Sequence, residues 1–328
     1  MSSPRLLAPA LFLAALAAPA AAQVPFPTEQ NARLEELGTV FNVTGRMRVP
    51  RRVSLEAFRA IKIQGQGDDA TLEISGSVKF RAATGGKIEF QNVWVEFTPE
   101  CKAITFGDVL FKGKGGIRPS PDGPADVKFE FERLETENTA SVTLECSGGS
   151  ILMDGCWTRG PLVIRGVARS ATTKSGLTLA IYGSSGEVER RIRGLLGGVT
   201  IEGLKDGTIR TCDIAGPEAR FIDNRKLTFD GNNVRARRVE FRNTESGGFA
   251  GLKITKTDFR AEKLVLGSPF QADKQERLTF ETCYFRGLED LDTIRTEMLE
   301  DALNSETSAL AVLRDIRSTP LGLAGTEK

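Results

Sequence analysis

From about Ile61 to Phe285, apolar and polar residues alternate in short runs. Examples are Thr71–Ile74, Lys87–Phe90, Ala103–Phe106, Asp126–Phe131, Ser141–Leu144 and Pro161–Ile164. Later come Val199–Ile201, Leu227–Phe229, Val239–Phe241, Leu252–Ile254 and Leu278–Phe280. Successive side chains of a strand point to opposite faces, so this alternation predicts strands buried on one side. Gly, Asn, Asp and Lys separate the runs, and no long helical period intervenes.

One spacing recurs: apolar, any residue, apolar, four residues, apolar. It occurs at Ile88-Phe90-Val95, Ile104-Phe106-Phe111 and Val127-Phe129-Leu134, and again at Leu227-Phe229-Val234, Leu252-Ile254-Phe259 and Leu278-Phe280-Phe285. A strand, a tight corner and a second strand would turn all three residues toward one interior. A single unit of this kind cannot bury that face alone, but stacked units can, which predicts a solenoid. Starts at Leu227, Leu252 and Leu278 lie 25 and 26 residues apart, one coil of a parallel β-helix. The earlier starts are less regular, and Gly113–Pro124 reads as a loop protruding between coils. Corners are expected at Asn92, Gly107, Gly203, Asn224, Asn232, Asn233 and Asn243, where Asn and Gly tolerate left-handed backbone. Stacked Asn side chains would form a hydrogen-bonded ladder, or would serve as ordinary turn residues.

The ends follow other patterns. A short helix is expected at Ser54–Ala60, introduced by Ser54. Leu291, Ile294, Met298, Leu299 and Ala302 keep helical spacing behind Asp292, which predicts an amphipathic helix from about Thr293 to Leu303. Such a helix would cap the open end of the coil, since an uncovered sheet edge invites pairing with other chains. A final strand is expected at Ala309–Leu313. The domain plan is therefore a signal peptide at 1–22, an N-terminal extension or cap at 23–60, the β-helix at 61–288, and a C-terminal helix and tail at 289–328.

The signal-peptide assignment rests on Arg5, the apolar run Leu6–Ala18, and the small residues Ala20 and Ala22 before Gln23. The run is short of the roughly 20 residues that span a bilayer, and no later stretch is long and apolar enough to do so. The expected destination is the periplasm, the cell surface or the extracellular space. Lys plus Arg number 44 against 43 Asp plus Glu, so the overall charge offers no reason to expect nucleic acid as a partner. The chain contains no histidine, which excludes Ser-His-Asp triads, Cys-His dyads and His-ligated zinc. Five cysteines, Cys101, Cys146, Cys156, Cys212 and Cys283, are an odd number. Cys146 and Cys156 are near enough in sequence to pair. The favoured reading is that all five are small buried apolar residues.

Candidate chemistry lies on outward strand positions of the C-terminal coils. With Leu227 and Phe229 inward, Thr228 and Asp230 face out. Equivalent positions are Glu240 and Arg242, Lys253 and Thr255, and Thr279 and Glu281, with Asp213 and Asp223 joining them. Stacked at about 4.8 Å per coil, such groups would hold carboxylates at glycosidase-like separations or bind calcium or sugar hydroxyls. Asp230, Arg242, Glu240 and Asp223 are the catalytic candidates. The outward face of a solenoid must be polar in any case, so solubility alone also accounts for them. Trp94 is expected to point outward beside Glu96 and to offer a sugar-stacking platform; Trp157, after Cys156, is ambiguous. Asn42-Val43-Thr44 matches a glycosylation acceptor.

These strands, Asn/Gly corners and strand-corner-strand units resemble the right-handed parallel β-helix proteins, the pectin-lyase-like group. It includes pectate lyases, polygalacturonases, pectin methylesterases, phage tailspikes and exported bacterial proteins. The resemblance covers roughly Ile61–Phe285 and implies a right-handed coil. It carries no identifying motif. The polygalacturonase-like site pairs aspartates with a histidine, which this chain lacks. Neither the Arg base with acidic calcium ligands of pectate lyases nor the Asp, Arg and Gln set of pectin methylesterases is matched as a motif. Fold alone does not license a function. The expectation is an exported, non-enzymatic solenoid, an extracellular or surface binding or structural protein, with polysaccharide or a cell-surface component as its partner and no cofactor. The alternative is a polysaccharide lyase or His-independent glycosidase using outward Asp, Glu and Arg, with calcium as a possible cofactor.

Overall fold

The structure, a computed structural model, describes residues 24–25, 40–49, 52–57, 60–82, 85–168, 175–183, 197–242, 251–267, 278–281, 283–286, 312–314 and 317–319. Its strands wind into an all-β parallel solenoid of about eight turns. Each coil lays strands on three faces. On the first, Ile88–Gln91, Val109–Lys112, Glu135–Thr136 and Trp157–Thr158 stack in order. On the second, Trp94–Phe97, Gly115–Pro119, the start of Ala140–Asp154, Leu162–Gly166 and Val199–Glu202 do so. The third holds Ser77–Ala82, Ala103–Gly107, Ala125–Glu132, the end of Ala140–Asp154, Thr178–Tyr182 and Asp206–Arg210. It continues through Lys226–Asp230, Gly251–Thr255 and Leu278–Glu281. The longer strands Asp213–Ile222, Asn233–Arg242 and Asp258–Gly267 cross from the first face to the second.

Register converts the sequence alternation into a core. On the third face one buried column runs Phe80, Phe106, Phe131, Met153, Ile181, Ile209, Phe229 and Ile254. Among the described residues the largest fully buried side chains are all Phe. Burying one from water stabilises by about 1.5–3 kcal/mol. The rings also stack along the coil: Phe90 on Phe111 at 4.8 Å, and Phe221 on Phe241 at 4.9 Å, each with planes 15° apart. Offset contacts of this kind add to simple burial.

The register also explains the irregular first half of the repeat. Leu227, Leu252 and Leu278 align residue for residue on the third face. Ile104 lies on that face too, opposite Phe129, so the triplet that begins at Val127 is displaced by two residues. Ile88 belongs to the first face. The same spacing thus marks two different corners, and unequal intervals follow.

At the corner from the third face to the first, Asp108, Arg133, Gly155, Thr211, Gly231 and Lys256 all take left-handed backbone, with φ between 49° and 64°. Each reverses the chain so that the next side chain points inward. That inward column reads Val109, Leu134, Cys156, Cys212, Asn232, Thr257 and Cys283, all buried. Its polar members bond to backbone. Thr257 Oγ1 donates to the Thr255 carbonyl at 2.9 Å, and Cys212 Sγ lies 3.3 Å from the Arg210 carbonyl. Asn232 accepts from Cys212 N at 2.8 Å and donates to Ile209 O at 3.0 Å. Asn224, at the next corner, does the same with Leu204 N and Ile201 O. Asn224 and Asn232 therefore clamp the preceding coil's backbone rather than one another.

Two expectations change. Arg52–Ala57 is a strand paired with Ser77–Ala82, so no helix starts at Ser54. Val53, Leu55 and Ala57 alternate with Ser54 and Glu56, and that period of two prevails over Ser54 as a cap. Gly115–Pro119 is an integral strand paired on both sides, so Gly113–Pro124 does not protrude as a whole. Gly115 and Gly116 adopt φ of 155° and 130°, and a Cβ on Gly116 would stand 1.8 Å from the Ser141 carbonyl oxygen. Glycine there reflects close backbone approach, not a loop. Parallel pairing also extends upstream of Ile61, since Val40–Val49 pairs with Ile61–Ile74. Val312–Arg314 pairs with Thr279–Glu281 at the other end. The expected signal peptide, the Thr293–Leu303 helix and Asn243 lie outside the described residues.

All five cysteines are buried thiols, and none is joined in a disulfide. Burial pushes the thiols of Cys101, Cys146, Cys156 and Cys212 up to about 12. They serve as small core residues, as the favoured reading held.

Candidate functional site

The second face carries an unusual outward row. Register places Arg48, Glu73, Glu96 and Arg118 side by side on four successive coils. Both carboxylates point away from the core yet are buried, Glu96 at 1% exposure and Glu73 at 7%. Arginines cover them. Arg46 Nη1 donates to Glu73 Oε2 at 2.9 Å, and Arg48 Nε donates to Glu73 Oε1 at 2.8 Å. Arg118 Nε donates to Glu96 Oε2 at 3.0 Å. Arg46 Nη1 also lies 2.6 Å from Glu96 Oε1, a charge contact off the hydrogen-bond direction. Burial pushes the Glu73 carboxyl up, but the hydrogen bonds from Arg46 and Arg48 more than offset it and hold Glu73 below the usual carboxylate range.

Trp94 sits one outward position before Glu96, as its alternation predicts. The Arg118 guanidinium carbon lies 4.6 Å from the centroid of its ring. Next to this row opens a pocket of about 530 Å³, lined by Arg46, Glu96, Arg118, Glu145, Val167 and the Pro119–Pro124 segment. Ser120 Oγ donates to Asp122 Oδ2 at 2.8 Å and shapes the rim. The walls thus combine proline rings with guanidinium donors whose carboxylate partners lie beneath them. Alternation along the chain marks Trp94 as outward but does not single out Arg46, Glu73 and Arg118. The signal for them was present: in Thr71–Ile74 and Trp94–Phe97 the outward slot holds Glu in both strands.

The catalytic candidates are dispersed. Asp230 lies on the third face, where Arg210 Nε is 3.3 Å from its Oδ2 and Thr255 Oγ1 donates to its Oδ1 at 2.5 Å. Glu240 and Arg242 lie on the second face, with Arg242 Nε 3.0 Å from Glu240 Oε1. Asp223 occupies the corner between those faces, with φ of 53°. Asp213 is on the first face and accepts from Asn233 Nδ2 at 2.7 Å. The predicted single stripe is therefore divided among three faces by the corners; within it Arg242 reaches Glu240, Thr255 reaches Asp230, and Asp223 N donates to the Arg242 carbonyl. Trp157 lies on the first face beneath Arg159, whose guanidinium carbon is 4.6 Å from the ring centroid. Among the described residues no group of three Cys, Asp or Glu side chains is placed to hold a metal ion.

No protein-family model matches this chain, and no characterised protein or solved structure matches it either.

Proposed function

We propose that this is an exported binding protein whose second face, around Trp94, Arg118 and the adjoining pocket, holds a polysaccharide or a related cell-surface component. The observation that supports this most is the pairing of a half-buried aromatic ring with guanidiniums already oriented by buried carboxylates. Sugar rings present apolar C–H faces and hydroxyls together, and a flat ring beside fixed donors suits both. Preorganised donors bind with less ordering cost than free side chains. The pectin-lyase-like resemblance supports an extended ligand surface, though no motif carries that group's chemistry here.

Glu73 argues against acid catalysis at this site. A general acid needs a carboxyl held near or above neutral pH, and Glu73 is held the other way. The enzymatic alternative would use Asp230, Glu240 and Arg242, which different faces keep apart in part. Export to the periplasm, surface or medium is proposed from the Arg5–Ala22 pattern.

The test is affinity electrophoresis and calorimetry across a panel of neutral and acidic polysaccharides, with and without calcium. The same reactions are scored for unsaturated products and new reducing ends. Retention without turnover, lost in Trp94→Ala, is the expected result. Turnover abolished by Asp230→Ala or Arg242→Ala would replace binding with catalysis.

A further inference from the structure

The chain's near-neutral charge conceals a belt of arginine on one coil. Arg235, Arg237, Arg238 and Arg242 fall within Asn233–Arg242, whose only acidic residue is Glu240. Glu240 points outward and is nevertheless 1% exposed. Three guanidiniums bury it. Arg220 Nε, from the preceding coil, and Arg238 Nη2 each reach Oε2 at 3.3 Å, and Arg242 Nε reaches Oε1 at 3.0 Å. Those three arginine side chains remain 37–43% exposed. One carboxylate cannot neutralise three cations, and each guanidinium has five N–H donors. The other acids on this patch are Glu218, which aligns with Arg238, and exposed Glu262, which falls opposite Arg237 between the aligned pairs Ala236–Ala261 and Arg238–Lys263. Arg235 and Arg237 are exposed, and among the described residues neither has an ion-pair partner. On the neighbouring coil Arg260 aligns with Arg235, and Arg260 Nη2 reaches Asp258 at 3.4 Å.

We infer that this belt is a second binding site, for phosphate or sulfate groups carried on a polysaccharide. Guanidinium forks match the geometry of such oxoanions and bind them through paired hydrogen bonds. Glu240 is a positioning residue: it gathers Arg220, Arg238 and Arg242 around one carboxylate while each guanidinium stays partly open to solvent. The belt spans a strand of ten residues and rounds a corner. That is longer than one oxoanion and suits several along a polymer. A lipid surface fits less well, because the only large apolar side chain exposed among the described residues, Leu152, lies on the third face.

The experiment titrates the intact protein with a sulfated polysaccharide (heparin), an uncharged dextran of equal length, inorganic phosphate, and vesicles containing anionic phospholipid. Heparin is expected to bind and dextran not, with affinity falling steeply as salt rises. Arg237→Glu, at an exposed site, is expected to weaken heparin binding at least tenfold without altering the circular dichroism spectrum. Glu240→Gln is expected to change affinity more than Glu218→Gln does, since only Glu240 orders three arginines. Trp94→Ala is expected to leave heparin binding unchanged, which separates this site from the Trp94–Arg118 surface. Equal binding by wild type and Arg237→Glu, or binding of vesicles or phosphate but not heparin, would overturn the assignment.

Discussion

Arg118 joins Trp94 and Glu96 across two coils: its guanidinium carbon lies 4.6 Å from the indole centroid while its Nε donates to Glu96 at 3.0 Å. The cation over the ring and the carboxylate behind it fix one rotamer. Arg118→Lys keeps the charge but loses the planar fork, and such a swap is not conservative at a stacked site. The expected outcome is polysaccharide affinity reduced severalfold, with Trp94→Ala reducing it further, each read by calorimetry. Arg118→Ala also removes a charge-assisted hydrogen bond to a buried carboxylate, for a loss of about 1.5–3 kcal/mol in urea unfolding.

Glu73 makes stability depend on acid. Its folded carboxyl is held below its unfolded value by Arg46 and Arg48 against the opposing effect of burial. A depressed carboxylate contributes stability that is present above the unfolded value, about 4.3, and is lost as pH falls through the folded one. Urea midpoints measured from pH 7 down to pH 3 are expected to fall, and to fall less steeply in Glu73→Gln. Equal slopes for the two proteins would remove Glu73 from the account.

The thiols offer a probe of the closed core. Burial pushes four of them up to about 12. Against an ordinary value near 8.5, that lowers the thiolate population at pH 8 by roughly a thousandfold. A thiol reagent is expected to label the folded protein very slowly and all five cysteines promptly in denaturant. Fast labelling of any one thiol in the native state would place it at a local opening.

Asn232 tests the corner clamp. Its side chain satisfies Cys212 N–H and the Ile209 carbonyl, both in the coil beneath. Asn232→Ala leaves both groups buried without a partner, and a loss of about 1–3 kcal/mol is expected in denaturant titration. Thr257 occupies the equivalent position one coil on, so Asn232→Thr is expected to recover part of that loss through its hydroxyl.

Cleavage before Gln23 is checked by expression in a host that exports it and by mass spectrometry of the mature chain. The expected N-terminus is Gln23; an intact Arg5-containing peptide in the exported fraction would count against a cleaved signal.

The alternation of Leu227-Thr-Phe229 or Ile88-Glu-Phe90 was enough to predict strands, their inward residues and a stacked coil. Period two is a local property, and burying so many Phe faces requires stacking. The outward exposure of Trp94 and the burial of the cysteines were legible for the same reason. The number of faces was not, because one spacing marks two corners and only pairing partners tell Ile88 from Ile104. Nor did local pattern show that Glu73, Glu96 and Glu240 are outward and buried at once. Much of their cover comes from Arg46, Arg118 and Arg220, which lie 20 to 27 residues away and become neighbours only through coil register. Sequence alone set which side of each strand faces the core. Tertiary structure decided which charges meet outside it, because inter-coil distance, not distance along the chain, determines the strength of an ion pair.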